Sequence, residues 1–226
     1  MNALARLAQH IKKVVSFILL INVSLFGGGA TADEVLRYNL GTSGSSIPYE
    51  NAVDEDRAGI LVEILPLIMN RADIKTEKVM LSTKRAMLAF KTGALDFDFF
   101  SPSWLSKDEP AGDFTFSDPI IDITEYFITL PENHSRYQTV ASIYGETVGM
   151  ISGYVYFDSD KFVRMDFQAE SNLILALGPI HTAGKMALRI HNRHKDKLPA
   201  INRAIAELKQ TGQIDRILNK YSDFSL

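Results

Sequence analysis

Apolar residues recur along this chain with two periods, and the switching between them predicts an open α/β architecture. Val35 to Leu40 alternates apolar and polar positions and ends at Gly41-Thr42-Ser43-Gly44, a strand running into a glycine-rich turn. Ile60, Leu61, Ile64, Leu65, Ile68 and Met69 place one stripe along a helix over Ala58 to Ala72, which Pro66 should kink or start later. Lys75 to Met80 reads as a second strand. Ser82 or Thr83 then caps a helix that carries Met87, Leu88 and Phe90 and stops at Gly93. Leu95, Phe97 and Phe99 alternate with Asp96 and Asp98, so the third strand has one apolar and one polar side. Strand, helix, strand, helix, strand is the order of an open α/β sheet, whose ligands gather at the carboxyl ends of the strands. Those ends are the Gly41–Tyr49 and Ser101–Trp104 loops.

The second half is predicted to contain a strand over Ile123 to Leu130, closed by Pro131-Glu132-Asn133, and further strands over Thr147 to Ile151 and Phe162 to Phe167. Glu170 to Leu177 reads as a short helix and Lys185 to Ile190 as a last strand. Leu198, Ile201, Ile205 and Leu208 form a helical stripe that stops at Gly212 and resumes with Ile214, Ile217, Leu218 and Tyr221. No internal repeat or low-complexity run interrupts the series.

The first 32 residues break this pattern and read as an export signal rather than a fold. Arg6, Lys12 and Lys13 form a basic region, Val14 to Phe26 an apolar one, and Ala30-Thr31-Ala32 a small-x-small cleavage pattern. The apolar run contains Asn22 and is short for a membrane span. Removing 32 of 226 residues leaves 194, enough for one domain or two small lobes. The leader holds three of the 24 basic residues and none of the 27 acidic ones, so the mature chain carries a formal charge of −6. That balance argues against nucleic acid and anionic membranes as partners. With no cysteine, disulfides, thiolate metal sites and a lipid anchor are excluded, and stability must come from the apolar core.

Two stretches carry candidate binding chemistry. Gly41-Thr42-Ser43-Gly44-Ser45-Ser46 offers N–H groups and hydroxyls as an anion cradle, or is a plain flexible turn; it lacks a P-loop lysine. Trp104, the single tryptophan, follows a strand end in Ser101-Pro102-Ser103-Trp104, where it could wall a pocket or pack an edge. His134, His181, His191 and His194 have no zinc-helix spacing and read as surface residues. Asp96 and Asp98 read as solvent-side or turn-capping, and no nucleophile motif is present. A non-enzyme without metal or cofactor is expected.

Four motifs follow in order: Gly93-Ala94-Leu95-Asp96; Phe116-Ser117-Asp118-Pro119; Gly145-Glu146-Thr147-Val148-Gly149 with Gly153 behind it; and the tail from Leu198 to Tyr221. With an export signal in front, the series resembles the bacterial extracellular solute-binding proteins, family 3, the type II periplasmic binding proteins of polar amino-acid ABC transporters. The resemblance implies a two-lobed α/β clamshell, with residues 33–128 and 191–226 as lobe one and 129–190 as lobe two. It implies ligand contacts from Thr42 and Ser43, from Tyr49 after Pro48, from Ser101 and Trp104, and from Ser152, Gly153 and Tyr154 across the cleft. Members grip the ligand carboxylate with an arginine in a Thr-Pro-x-Arg-like turn. Here that place reads Leu105-Ser106-Lys107-Asp108-Glu109-Pro110, which leaves Lys107 nearby and Arg85 as either a substitute from the preceding helix or a solvated helical arginine.

Between Glu170–Leu177 and Lys185, members of the family insert a strand, a helix and a strand. This chain crosses the place with Leu177 to Gly184, so lobe two should be reduced by roughly 30 residues. The resemblance therefore implies a periplasmic monomer that captures a small polar solute, amino-acid-like or an organic acid, for an inner-membrane ABC transporter permease. Two alternatives are a ligand-sensing or partner-binding signalling module, and a small dehydratase-type enzyme on the same scaffold. The enzyme would need Glu125, Asp118 or Glu170 as its acid.

Overall fold

The structure, a computed structural model, describes residues 34–40, 48–51, 56–105, 112–150, 156, 159–166 and 176–222. The chain divides after Glu34, and every described strand and helix belongs to the unit Val35–Leu226. The stripe of isoleucine, leucine and methionine forms helix α1 (Ile60–Arg71), with Ile60, Leu61, Ile64, Leu65, Ile68 and Met69 buried as the period requires. Pro66 sits inside the helix on its exposed side. It cannot donate to the Val62 carbonyl, and on that side water can take the place of the missing N–H.

Strands β1 (Val35–Tyr38), β2 (Lys75–Lys78) and β3 (Phe97–Phe100) are parallel in the order β2-β1-β3, joined through α1 and α2 (Thr83–Lys91). This is the open α/β half that the pattern predicted. Of the three apolar residues on α2, only Phe90 is buried, while Met87 and Leu88 are exposed. Gly93 ends the turn after α2 at φ 73, a left-handed conformation that glycine adopts without strain.

Strand β4 (Phe114–Phe116) and strand β5 (Ile121–Thr129) follow, then β6 (Thr147–Met150), β7 (Val163–Asp166) and β8 (Ala176–His191). The last strand is 16 residues long instead of the six expected from Lys185 to Ile190. It runs antiparallel to β3 and β4 through its later residues and to β5 through its earlier ones. Ala176 and Leu177 belong to it rather than to a helix, and the rest of the predicted Glu170–Leu177 helix lies outside the described residues. The stretch Leu177 to Gly184 is thus a paired strand. Gly178 and Pro179 hid it, because both depress strand propensity. Pro179 falls where the register slips between Tyr126↔Ile180 and Ile128↔Leu177, a place where no ladder N–H is demanded of it.

Helices α3 (Leu198–Gln210) and α4 (Gln213–Lys220) meet at Gly212, φ 65, as the tail pattern predicted. Ile201, Ala204, Ile205, Leu208 and Ile214 share one core with α1, Leu36, Phe97, Leu188 and Ile190. A second cluster gathers Ile143, Met150 and Phe162 with Phe127, Val148 and Tyr156. It backs the parallel pair β6–β7, which is a two-stranded sheet among the described residues.

The acidic residues beside β3 are not solvated. Asp96 is buried, accepts the Arg37 backbone N–H at 2.6 Å, lies 2.7 Å from His194 Nε2 and is ion-paired with Arg193. His194 is buried with it, which corrects its reading as a surface histidine. Burial works to raise the Asp96 pKa, but the Arg193, backbone and His194 hydrogen bonds outweigh it and hold the carboxyl below its usual range. A folded-state pKa below the unfolded value stabilises the fold above about pH 3.9 and is lost as pH falls toward the folded value. Asp96→Asn should therefore flatten the acid limb: measured by denaturant melts from pH 5 to pH 3, wild type should lose more stability than the variant.

Candidate functional site

The carboxyl end of β3 turns directly into a tight 3₁₀ segment, Pro102–Trp104. Proline suits the first position of such a turn, and Ser101 caps it by accepting the Ser103 N–H through its side chain. The Ser101 and Ser103 hydroxyls lie 2.7 Å apart, and Ser101 is fully buried. Opposite them on β8 is Gly184. A Cβ there would come 2.5 Å from Ser103 Oγ and 2.8 Å from Ser101 Oγ, so only glycine lets the turn press onto the strand.

That approach carries Trp104 to β5, where its indole N–H donates to Glu125 Oε2 at 3.1 Å. Thr182, the register partner of Glu125 on β8, donates its hydroxyl to the same oxygen. His181 Nδ1 stands 4.0 Å from it and contacts Phe127 edge-on, with ring centroids 5.0 Å apart. Tyr49 is half-buried, and its phenol is held above its ordinary pKa by desolvation first and by the Glu125 charge second. Phe100 meets the Trp104 ring edge-to-face at 5.3 Å. The result is a carboxylate fixed by two neutral donors among aromatic rings.

Of the residues singled out in the sequence, Tyr49, Ser101 and Trp104 come together here. Arg85 is exposed on α2. Thr42, Ser43, Lys107, Ser152, Gly153 and Tyr154 lie outside the described residues. Glu125, considered only as the acid of an enzymatic alternative, is central to the cluster, whereas Asp118 is exposed and gives its N–H to Asn202. Thr182 carries no local signal in the sequence, and His181, read there as a surface residue, belongs to the cluster with its side chain 11% exposed. A lone acid in the apolar run Ile123 to Leu130 was the available signal for Glu125. Among the described residues no group of side chains is suited to hold a metal ion, and no helix is long and apolar enough to cross a membrane.

Gly184→Val should show how much this packing matters. The added carbons cannot be absorbed by the buried Ser101, so the turn must lift, at about 1–3 kcal/mol. Because Trp104 is the only tryptophan, its emission reports the site alone. The variant should emit at longer wavelength as the indole loses Glu125 and gains water; an unchanged spectrum would show the turn does not depend on Gly184.

The model of the bacterial extracellular solute-binding proteins, family 3, matches residues 38–224. No curated protein sequence matches the chain. Among solved structures, a mutant of ArgBP from T. maritima is 18% identical, with TM-score 0.65 over 83% of this chain and 94% of that one. The GluR0 ligand-binding core from Nostoc punctiforme, in complex with L-glutamate, is 14% identical, with TM-score 0.64 over 84% and 100%. The amino-acid ABC transporter substrate-binding protein AbpA from Streptococcus pneumoniae, bound to L-arginine, is 15% identical, with TM-score 0.63 over 82% and 93%. At such identities the likeness is one of fold, the two-lobed α/β fold of periplasmic binding proteins. The family match is of another kind: spanning every described strand and helix except the first three residues of β1, it shows that this chain belongs to the bacterial extracellular solute-binding proteins, family 3.

Proposed function

We propose that the protein is a periplasmic receptor that captures a small polar, amino-acid-like solute and presents it to an inner-membrane ABC transporter permease. Residues 1–32 would be its cleaved leader, 33–128 with 191–226 its first lobe, and 129–190 a shortened second lobe. The observation that carries this reading is the cluster of Tyr49, Trp104, Glu125 and Thr182, where the carboxyl end of β3 meets β5 and β8. Polar groups fixed among aromatic rings beside the carboxyl end of a parallel strand, here β3, are the usual make-up of a small-solute site. In this reading β5 and β8 connect the lobes, and their closure on the solute is the signal read by the permease. Thr42, Ser43, Lys107, Ser152, Gly153 and Tyr154 would complete the site.

The test is thermal unfolding of the mature chain against amino acids, amines and organic acids, read alongside Trp104 fluorescence. A solute at 100 times its Kd should add about 2.7 kcal/mol. For a chain of this size that is a rise of roughly 5–10 °C. A cooperative melt that no solute moves would overturn the reading in favour of a partner-binding module.

A further inference from the structure

The two oxygens of Glu125 differ in their surroundings. Oε2 receives the Trp104 indole N–H and the Thr182 hydroxyl and has His181 on its side. Oε1 receives no hydrogen bond from any described residue, and the side chain keeps 39% of its exposure. A carboxylate offers about four lone-pair positions, so half of this one is held in place while the other half remains an open acceptor. Resting on the receptor reading above, we infer that the solute is a small organic cation, an alkylammonium or guanidinium, whose positive group docks on Glu125 Oε1 and is recognised without a carboxylate.

The donors that fix Glu125 are an indole and a hydroxyl, neither of which neutralises it. The nearby cations on β8 are engaged elsewhere: Lys185 with Asp122 at 2.7 Å, and Arg189 with Asp98 at 2.6 Å. Among the described residues His181 is the base close by, and it stands on the Oε2 side. The charge offered to a solute at this point is therefore negative. Trp104 meets the carboxylate through its N–H edge on Oε2, and Tyr49, already desolvated, is close enough for the Glu125 charge to hold its phenol protonated to higher pH. An anionic group placed here would meet a like charge with no guanidinium or ammonium among the clustered residues to offset it. Trp104, Thr182 and Gly184 then have a shared purpose, which is to aim Oε1 outward and keep it from folding back onto the ribbon.

Agmatine and arginine make the sharpest pair of probes, because they share a guanidinium and differ by one carboxylate. Calorimetric titration of the full mature chain should give agmatine an affinity equal to or better than that of arginine, while glutamate and succinate do not bind. Glu125→Gln is the companion variant. Its amide can keep the oxygen on Trp104 and Thr182 and turn its N–H2 outward, leaving the unliganded melt unchanged while replacing the open acceptor with a donor. Loss of one charge-assisted hydrogen bond should weaken agmatine binding by about 10- to 100-fold.

Arginine binding more than tenfold tighter than agmatine would overturn recognition by the positive group alone. Binding of glutamate or succinate, or agmatine affinity unchanged in Glu125→Gln, would overturn the cation site while leaving a solute receptor. Silence from every solute would remove the receptor reading itself and this inference with it.

Discussion

Asp98→Ala is expected to lower the melting temperature by roughly 6–20 °C, from a loss of about 3–5 kcal/mol. Asp98 and Arg189 face each other as register partners across β3 and β8, and the guanidinium meets the carboxylate through two hydrogen bonds, at 3.0 and 2.6 Å. The arginine side chain is only 5% exposed. Its guanidinium lies 3.9 Å from the Phe100 ring centroid and 4.3 Å from that of Phe90, so it has little access to water once its carboxylate is gone. Removing Asp98 takes away the bidentate carboxylate that this register sets against a buried charge, which costs far more than the pair itself contributes. The double variant Asp98→Ala, Arg189→Met separates these effects. A thioether fills the space among the phenylalanines without charge, so most of the lost stability should return. A single variant that melted within 2 °C of wild type, on the order of 1 kcal/mol, would mean that water already reaches Arg189 and no charge is stranded.

This pair marks the limit of what the sequence discloses. The parallel half was legible because each of its elements is local: the α1 stripe, the stop at Gly93 and the alternation around Phe97 each fall within a single window. The same alternation suggested that Asp96 and Asp98 face solvent. Their partners lie about a hundred positions away, on β8 and in the turn after it, and no local period announces them. Strand β8 was recovered only in part, since Gly178, Pro179 and Gly184 each look like a break when the β5 register that accommodates them is unknown.

The site divides along the same line. Tyr49, Ser101 and Trp104 could be found because strand ends in an α/β order are where ligands bind. Glu125 could be found only as an isolated acid. Its orientation depends on Thr182, 57 residues on, and that contact exists only in the antiparallel register of β5 with β8. A sequence pattern that predicts faces does not predict which two faces meet.

Gly59→Ala is the backbone counterpart and should disable fold and site together. Gly59 stands before α1 at φ 118 and ψ 154, a region that is essentially closed to residues with a side chain. A Cβ there would come 2.5 Å from the Tyr49 carbonyl oxygen, 2.5 Å from Glu50 Cα and 2.6 Å from the Glu50 nitrogen. All three are backbone atoms, so no rotamer change can relieve the clash. The surroundings are also tied down. The Leu61 N–H donates to the Tyr49 carbonyl and the Ile60 N–H to that of Pro48. The Gly59 N–H donates to the Tyr221 hydroxyl, which in turn donates to Glu63. Strain and overpacking together should cost about 3 kcal/mol or more, seen as a fall in melting temperature of at least roughly 6 °C. Relief can come only by moving the 48–51 segment off the start of α1, and Tyr49 moves with it. Solute affinity measured below the variant's melting transition should therefore fall as well. A variant that lost stability but kept wild-type affinity would show that Tyr49 does not touch the solute. One that lost neither would show that α1 does not begin against the Tyr49 backbone.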